Sequence, residues 1–267
     1  SSSHSVSFSG NNTLIVVSGD HGIPGFPRAK RNLYDLGCEV ALAARWPGHI
    51  PAGRVVDDFV NVMDVAPTFL EAAGVPAPPG MTATSLMNVL TSPDDGQVDA
   101  AREHVVTGRE RHVGRAREGN LPYPQRAIRT RDFLYIRNFK PDRWPMGDPR
   151  GLDDPATEPP PYEELEHDTM IAYSDMDAGP SKAWMVHHRG EERVRNLFQM
   201  GFGKYPAEEL YDLRTDPHYM SNVADDPAYS ETRHDLSRRL LEVLHEQGDP
   251  RVVETPCRYE LPPYTDV

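Results

Sequence analysis

Cysteine, basic side chains and long apolar runs are all scarce in this chain. Its 267 residues hold two cysteines, Cys38 and Cys257. Neither belongs to a Cys-x-x-Cys pair, so a disulfide scaffold is excluded and the redox compartment stays open. Lys and Arg number 28 against 41 Asp and Glu, for a formal charge of −13. Phosphate backbones demand a basic surface, so no nucleic-acid partner is expected, although a local basic pocket for a small anion is compatible. No stretch approaches the roughly 20 apolar residues that span a bilayer. No charged segment followed by an apolar one opens the chain, so no signal peptide is read there, and Ser1 to Ser9 reads as a low-complexity lead-in. There is no internal repeat.

What is present points to an ordered globular chain. Its length allows one large domain or two modest ones, and 26 prolines among 38% hydrophobic residues imply much irregular but ordered structure. Leu14 to Val17 is a short β-branched run between Gly10-Asn11-Asn12 and Gly19, which predicts a buried strand. Asp20 and His21 follow that strand's carboxyl end, the edge where open α/β sheets bind ligands. Arg28 and Lys30 come a few residues later, in a loop fixed by Gly and Pro. A carboxylate, an imidazole and two cations suit half of a metal-plus-anion site. The competing readings are an Asp-capped turn and a solvated lysine.

Further along, Glu39 to Ala44 reads as a second strand. Val62 to Ala73 reads as a helix, with Val62, Val65, Ala66, Phe69, Leu70 and Ala73 as its apolar face and Gly74 at its end. A boundary is expected near residue 98, giving units 1–98 and 99–267. His104 to Gly108 and Ala127 to Asn138 read as strands, the latter turning at Arg131-Asp132. Residues 141–161 form a long Pro/Gly/Asp-rich loop, and loops of that length are usually functional or disordered. Tyr162 to Ser174 and Ser181 to His188 read as helices, Glu209 to Leu213 as a strand, and Tyr229 to Glu246 as an amphipathic helix with Leu236, Leu240, Leu241 and Leu244 on one face.

Several side chains attract attention without carrying a site. His187 and His188 point about 100° apart on a helix and cannot easily share a metal. Asp153-Asp154 and Glu163-Glu164-Glu166 are better read as solvated faces in so acidic a chain. Trp144, Trp184 and Phe198 read as core or loop anchors. Arg109, Arg111 and His112 form a polar knot after the 104–108 strand. Asn11-Asn12-Thr13 matches the glycosylation acceptor pattern.

Ser18-Gly-Asp-His-Gly22, Phe26-Pro-Arg-Ala-Lys30 and Leu33-Tyr-Asp-Leu-Gly37 together resemble the sulfatase family. Trp46-Pro-Gly48, Val62-Met-Asp-Val-Ala-Pro-Thr68, Leu70 to Gly74, and Glu209 to Pro217 with Asn222 to Asp226 continue the likeness in order. Gly22-Ile-Pro-Gly-Phe-Pro27 and Gly108 to His112 are similar, more narrowly, to the heparan N-sulfatase-like branch. The resemblance implies an α/β fold, the C-terminal part of an alkaline-phosphatase-like sulfatase with a smaller α+β subdomain. It implies hydrolysis of a sulfate ester or sulfamate by a formylglycine nucleophile with a divalent metal.

By that resemblance Asp20 and His21 are metal ligands and Lys30 contacts the sulfate. His112, Arg111 and Arg28 are substrate-side candidates. Calcium is the family's usual metal, and the nitrogen of His21 brings in manganese or zinc. Neither cysteine stands in the family's Cys-x-Pro/Ala-x-Arg motif, and the early Asp-Asp pair is missing. The chain therefore looks like a C-terminal half, and alone it is not expected to turn over substrate. The expected partner is a small sulfated substrate, an aryl sulfate or sulfated sugar. Family habit implies a periplasmic or secreted protein. The rival readings are a phosphonate or phosphate ester hydrolase of the same superfamily and a non-catalytic glycan-binding module.

Overall fold

The computed structural model describes residues 12–261. The serine-rich lead-in and Asn11 of the glycosylation pattern lie outside them. The described residues divide into two compact units, 12–20 with 40–105 and 21–39 with 106–261. Where the sequence suggested a boundary near 98, the division falls at 105/106. The segment carrying Lys30 belongs to the second, larger unit.

In the first unit β1 (Ile15–Ser18) pairs antiparallel with β2 (Leu42–Arg45), Ile15 opposite Arg45 and Ser18 opposite Leu42. The β-branched run makes the expected strand, but not a buried one. Ile15 and Val17 are 42% and 65% exposed. The period of two turns both to one side of the ribbon, and that side is open. A 3-10 turn at Val62–Asp64 leads into α1 (Val65–Ala72). Its start is a capping box, with Asn61 Oδ1 accepting from Met63 N–H and Asp64 Oδ2 from Asn61 N–H.

Gly74, at φ +70°, takes the left-handed position after this helix. The buried face is not the apolar stripe the spacing suggested. Val62 and Phe69 are exposed, whereas Asp64, Pro67 and Thr68 are buried. Polar bonds decide this. Thr68 Oγ1 donates to the Asp64 carbonyl at 2.6 Å and accepts from Leu86 N–H at 2.8 Å, while Arg102 Nη1 donates to Asp64 Oδ2 at 2.9 Å. Leu86 directly precedes α2 (Met87–Thr91).

The second unit is built on a four-stranded sheet in the order β3 (His104–Arg109), β4 (Gln125–Thr130), β5 (Phe133–Asn138), β6 (Glu208–Asp212). β4 and β5 form the expected hairpin, Ala127 opposite Ile136. β6 runs antiparallel to β5, Leu134 opposite Tyr211. Residues 141–161 are irregular throughout, as the composition suggested. The helix expected over 162–174 stops early: α3 covers only Tyr162–His167, and Asp168 is already extended. α4 (Pro180–His187) follows, then α5 (Glu192–Phe202), which sequence reading missed. Met146, Leu165, Tyr173, Val186, Phe198 and Phe202 close one apolar cluster around these helices.

Alternation along the strands sorts the sheet's two faces. Ile128, Tyr135 and Leu210 pack on Leu236, Leu240 and Leu244 of α6 (Ser230–Glu246). Ala127, Leu134, Ile136 and Tyr211 pack on Leu33, Tyr34 and Tyr219. Segment 21–39 therefore lies on the sheet face opposite the long helix. A last short helix, α7 (Pro250–Val253), follows Gly248. No helix among the described residues is long and apolar enough to cross a membrane.

Candidate functional site

Segment 21–39 is closed tightly on itself before it presents any side chain. Gly22 N–H donates to the Gly37 carbonyl and Lys30 N–H to that of Ile23, both at 3.0 Å. A Cβ on Gly22 would lie 1.9 Å from the Leu36 carbonyl oxygen, so only glycine permits this approach. Fully buried Tyr34 donates to Glu209 Oε2 at 2.6 Å, and Tyr205 donates to Asn32 Oδ1 at 3.1 Å. Buried Arg109 donates through Nη1 to the Arg31 carbonyl and through Nη2 to that of Pro145 at 2.7 Å. These anchors hold a turn in which Arg28 and Arg31 adopt φ of +58° and +77°.

Lys30 and Arg31 leave that turn toward one carboxylate. Lys30 Nζ lies 3.2 Å from Asp177 Oδ2, and Arg31 Nη2 lies 2.6 Å from Asp177 Oδ1. Arg31 Nη1 also donates to the Ser174 carbonyl at 3.4 Å. Burial disfavours the Asp177 charge, but Arg31 and then Lys30 outweigh it and hold the carboxyl below its ordinary range. Exposed His112 belongs to the same group. Its desolvation and the charges of Arg31 and Lys30 lower its pKa from 6.5, against the opposing pull of Asp175, so its imidazole is neutral at pH 7.

The loops bearing these groups are pinned from beneath. Asp175 Oδ1 accepts from Val113 N–H at 3.1 Å, beside His112, and its other oxygen pairs with Arg117. Lys182 is wholly buried and donates to the carbonyls of Thr169, Tyr173 and Met176 at 3.1, 3.4 and 3.0 Å. Burial, reinforced by Arg31, pushes its amine down to about 8.

Other candidates have other surroundings. Arg28 lies over the rings of Tyr34 and Tyr211, 4.7 and 5.2 Å from their centroids, and donates to Tyr211 OH at 3.1 Å. Arg111 donates through Nε to the Asn120 carbonyl at 2.8 Å and through Nη2 to that of Tyr259 at 3.4 Å. Both guanidiniums thus do anchoring work. His187 Nε2 lies 2.9 Å from the Pro160 carbonyl, and His188 Nδ1 pairs with Glu191. Phe198 is in the core, Trp144 packs against it, and Trp184 is 36% exposed.

Asp20 closes the first unit and His21 opens the second, and both are exposed. His21 Nδ1 lies 2.7 Å from the Gly22 carbonyl. Among the described residues no three His, Cys, Asp or Glu side chains are grouped so as to hold a metal. Two donors fall short of the four that zinc takes and of the six to eight oxygens of calcium. The residues present therefore do not by themselves fit a metal ion.

Sequence reading did not single out Arg31, Asp175, Asp177 or Lys182, which the structure gathers around Lys30. Arg31 stood beside a recognised cation. The Asp-Met-Asp spacing at 175–177 was the only local hint of the partner 147 residues away from Lys30.

A family model described as the C-terminal part of N-sulphoglucosamine sulphohydrolase matches residues 19–172. The chain is 26% identical over 242 residues to an ulvan-active sulfatase of Formosa agariphila, covering 90% of this chain and 39% of that protein. It is 26% identical over 254 residues to human N-sulphoglucosamine sulphohydrolase, covering 91% and 43%. The chain thus spans about two fifths of the length of these two relatives. One similar solved structure, in complex with its substrate D-glucosamine-2-N,6-O-disulfate, superposes with a TM-score of 0.58 at 21% identity, over 91% of this chain and 36% of that one. The phosphonate monoester hydrolase of Agrobacterium radiobacter gives 0.51 at 20%, over 88% and 35%. At these identities the structures speak for the fold alone, and that fold is the sulfatase one the sequence suggested.

Proposed function

The chain belongs to the N-sulphoglucosamine sulphohydrolase C-terminal family, and from that premise we propose that it forms the C-terminal portion of a hydrolase of sulfate esters or sulfamates. The substrate class is a sulfated sugar. The observation that carries the reading is the convergence of Lys30 and Arg31 on one carboxylate, a pair of cations disposed to receive an oxyanion.

In this reading Lys30 contacts the sulfuryl oxygens and neutralises charge that grows on them and on the leaving group as the bond to sulfur breaks. Cations already fixed and partly desolvated, as these are, do this without reorganising. Neutral His112 offers one donor and one acceptor to the sugar. Asp20 and His21 are proposed as two metal ligands, calcium first and manganese or zinc as alternatives, completed by chain outside these residues. The formylglycine nucleophile is likewise proposed to lie outside these residues.

A phosphonate or phosphate ester hydrolase is the second reading, favoured by the fold shared with the phosphonate monoester hydrolase. Turnover of an aryl sulfate and an aryl phosphonate by the intact protein separates the two. Faster release from the sulfate supports the first reading; faster release from the phosphonate replaces it.

A further inference from the structure

Asp177 is an unusual partner for a substrate cation. Its side chain is 30% exposed, so it is reachable from solvent, while Lys30 and Arg31 are 20% and 4% exposed. Each of its oxygens meets a different cation, at 3.2 Å and 2.6 Å, and Ser174 adds only a carbonyl contact to Arg31. Two cations splitting the oxygens of one oxyanion is also how they would hold a sulfate.

The carboxylate does not swing freely. Ala178 N–H donates to Thr169 Oγ1 at 3.0 Å, and Lys182 clamps three carbonyls of the same loop. Two positions away, Asp175 is fixed by Arg117 and by Val113 N–H. The loop thus delivers a negative charge to the cation pair.

We propose that Asp177 is an internal counter-anion that occupies the anion position of Lys30 and Arg31 and competes with sulfate for it. Substrate binding then requires the anionic group to displace a tethered carboxylate, and departing sulfate is replaced by that carboxylate. Asp177 in this role sets specificity: an anion that reaches only one of the two cations does not dislodge it, whereas a sulfuryl group that engages both does. The inference rests on the reading of Lys30 as the cation for the substrate's anion.

Sodium sulfate titrated into the 267-residue chain at constant ionic strength, followed by calorimetry and by the His112 ring signals, tests it. Asp177→Asn should bind sulfate about tenfold more tightly than wild type, equivalent to ~1.4 kcal/mol. Adding Lys30→Ala to Asp177→Asn should abolish that gain. Asp177→Ser provides the same comparison if the asparagine variant does not fold. Unchanged or weaker sulfate binding in a folded variant overturns the proposal. So does failure of both variants to fold, since Asp177 is then a structural brace. Because the readout is binding, it is independent of turnover. Tighter sulfate binding by the variant, together with no hydrolysis of a sulfate ester by the intact protein, would keep the counter-anion and discard the hydrolase.

Discussion

Replacing Asp175 with alanine should destabilise the second unit by about 3–5 kcal/mol, the usual cost of leaving one member of a buried ion pair without its partner. The side chains of Asp175 and Arg117 are 2% and 3% exposed, so solvent cannot compensate the stranded guanidinium. Val113 N–H loses its acceptor as well. Arg117→Met combined with Asp175→Leu should cost less than Asp175→Ala alone, because the Arg117 charge leaves with its partner and Arg109 is then the one buried cation of the group. Arg109 still reaches the Pro145 carbonyl that Arg117 gives up.

Urea denaturation followed by tryptophan fluorescence measures each variant, and the comparison also has a pH signature. Burial opposes the Asp175 charge, but Arg117 and then Arg109 outweigh it and depress its pKa. A depressed carboxyl contributes its full stability above the unfolded-state value, about 3.9, and loses it as the pH falls through the lower folded value. The curves of wild type and Asp175→Ala should therefore draw together in acid. A cost below about 1 kcal/mol at neutral pH, in the range of an exposed pair, would refute the argument.

Three further outcomes follow from the packing. Lys182→Met should strand three loop carbonyls and cost about 1–3 kcal/mol. Wild-type stability relative to this variant should also rise between about pH 8 and 10.5, where the unfolded chain binds more protons; a flat difference across that window contradicts the buried amine. Gly22→Ala forces a Cβ against the Leu36 carbonyl and should cost about 1–3 kcal/mol or more, with earlier proteolytic cleavage in segment 21–39. Glu110→Gln removes a carboxylate shared by Arg126 and Arg251 at 2.8 and 2.6 Å. Asp249 and Glu260 still hold those two arginines, so the loss should be about 1–2 kcal/mol, seen as faster hydrogen exchange in α7.

What could be read from the sequence was local or periodic. The 127–138 hairpin and the 230–246 helix declare themselves because one apolar period runs through each. The helix at 192–202 carries a helical period too, with Val194, Leu197, Phe198 and Phe202 on one side, and its charged first turn is what drew the reading away from it. β1 and α1 carry the right elements with the wrong faces. Polar bonds from Thr68 and Asp64 override apolar spacing in one case, and in the other a two-stranded ribbon leaves Ile15 and Val17 open. Lys30 is singled out by its motif, and the structure sets it beside Asp177. Asp177, Asp175 and Lys182 are not singled out in the sequence, since their meaning lies in contacts that span much of the chain and in the burial of a lysine that sequence alone treats as solvated.

The decisive measurement is sulfate release from N-sulphoglucosamine by the intact protein, wild type against Lys30→Ala. If Lys30 carries the oxyanion, kcat/KM should fall about 10²–10³-fold in the variant, the cost of one oxyanion-stabilising group. Wild-type turnover that survives the substitution unchanged would contradict the assignment of this loop as the sulfate site.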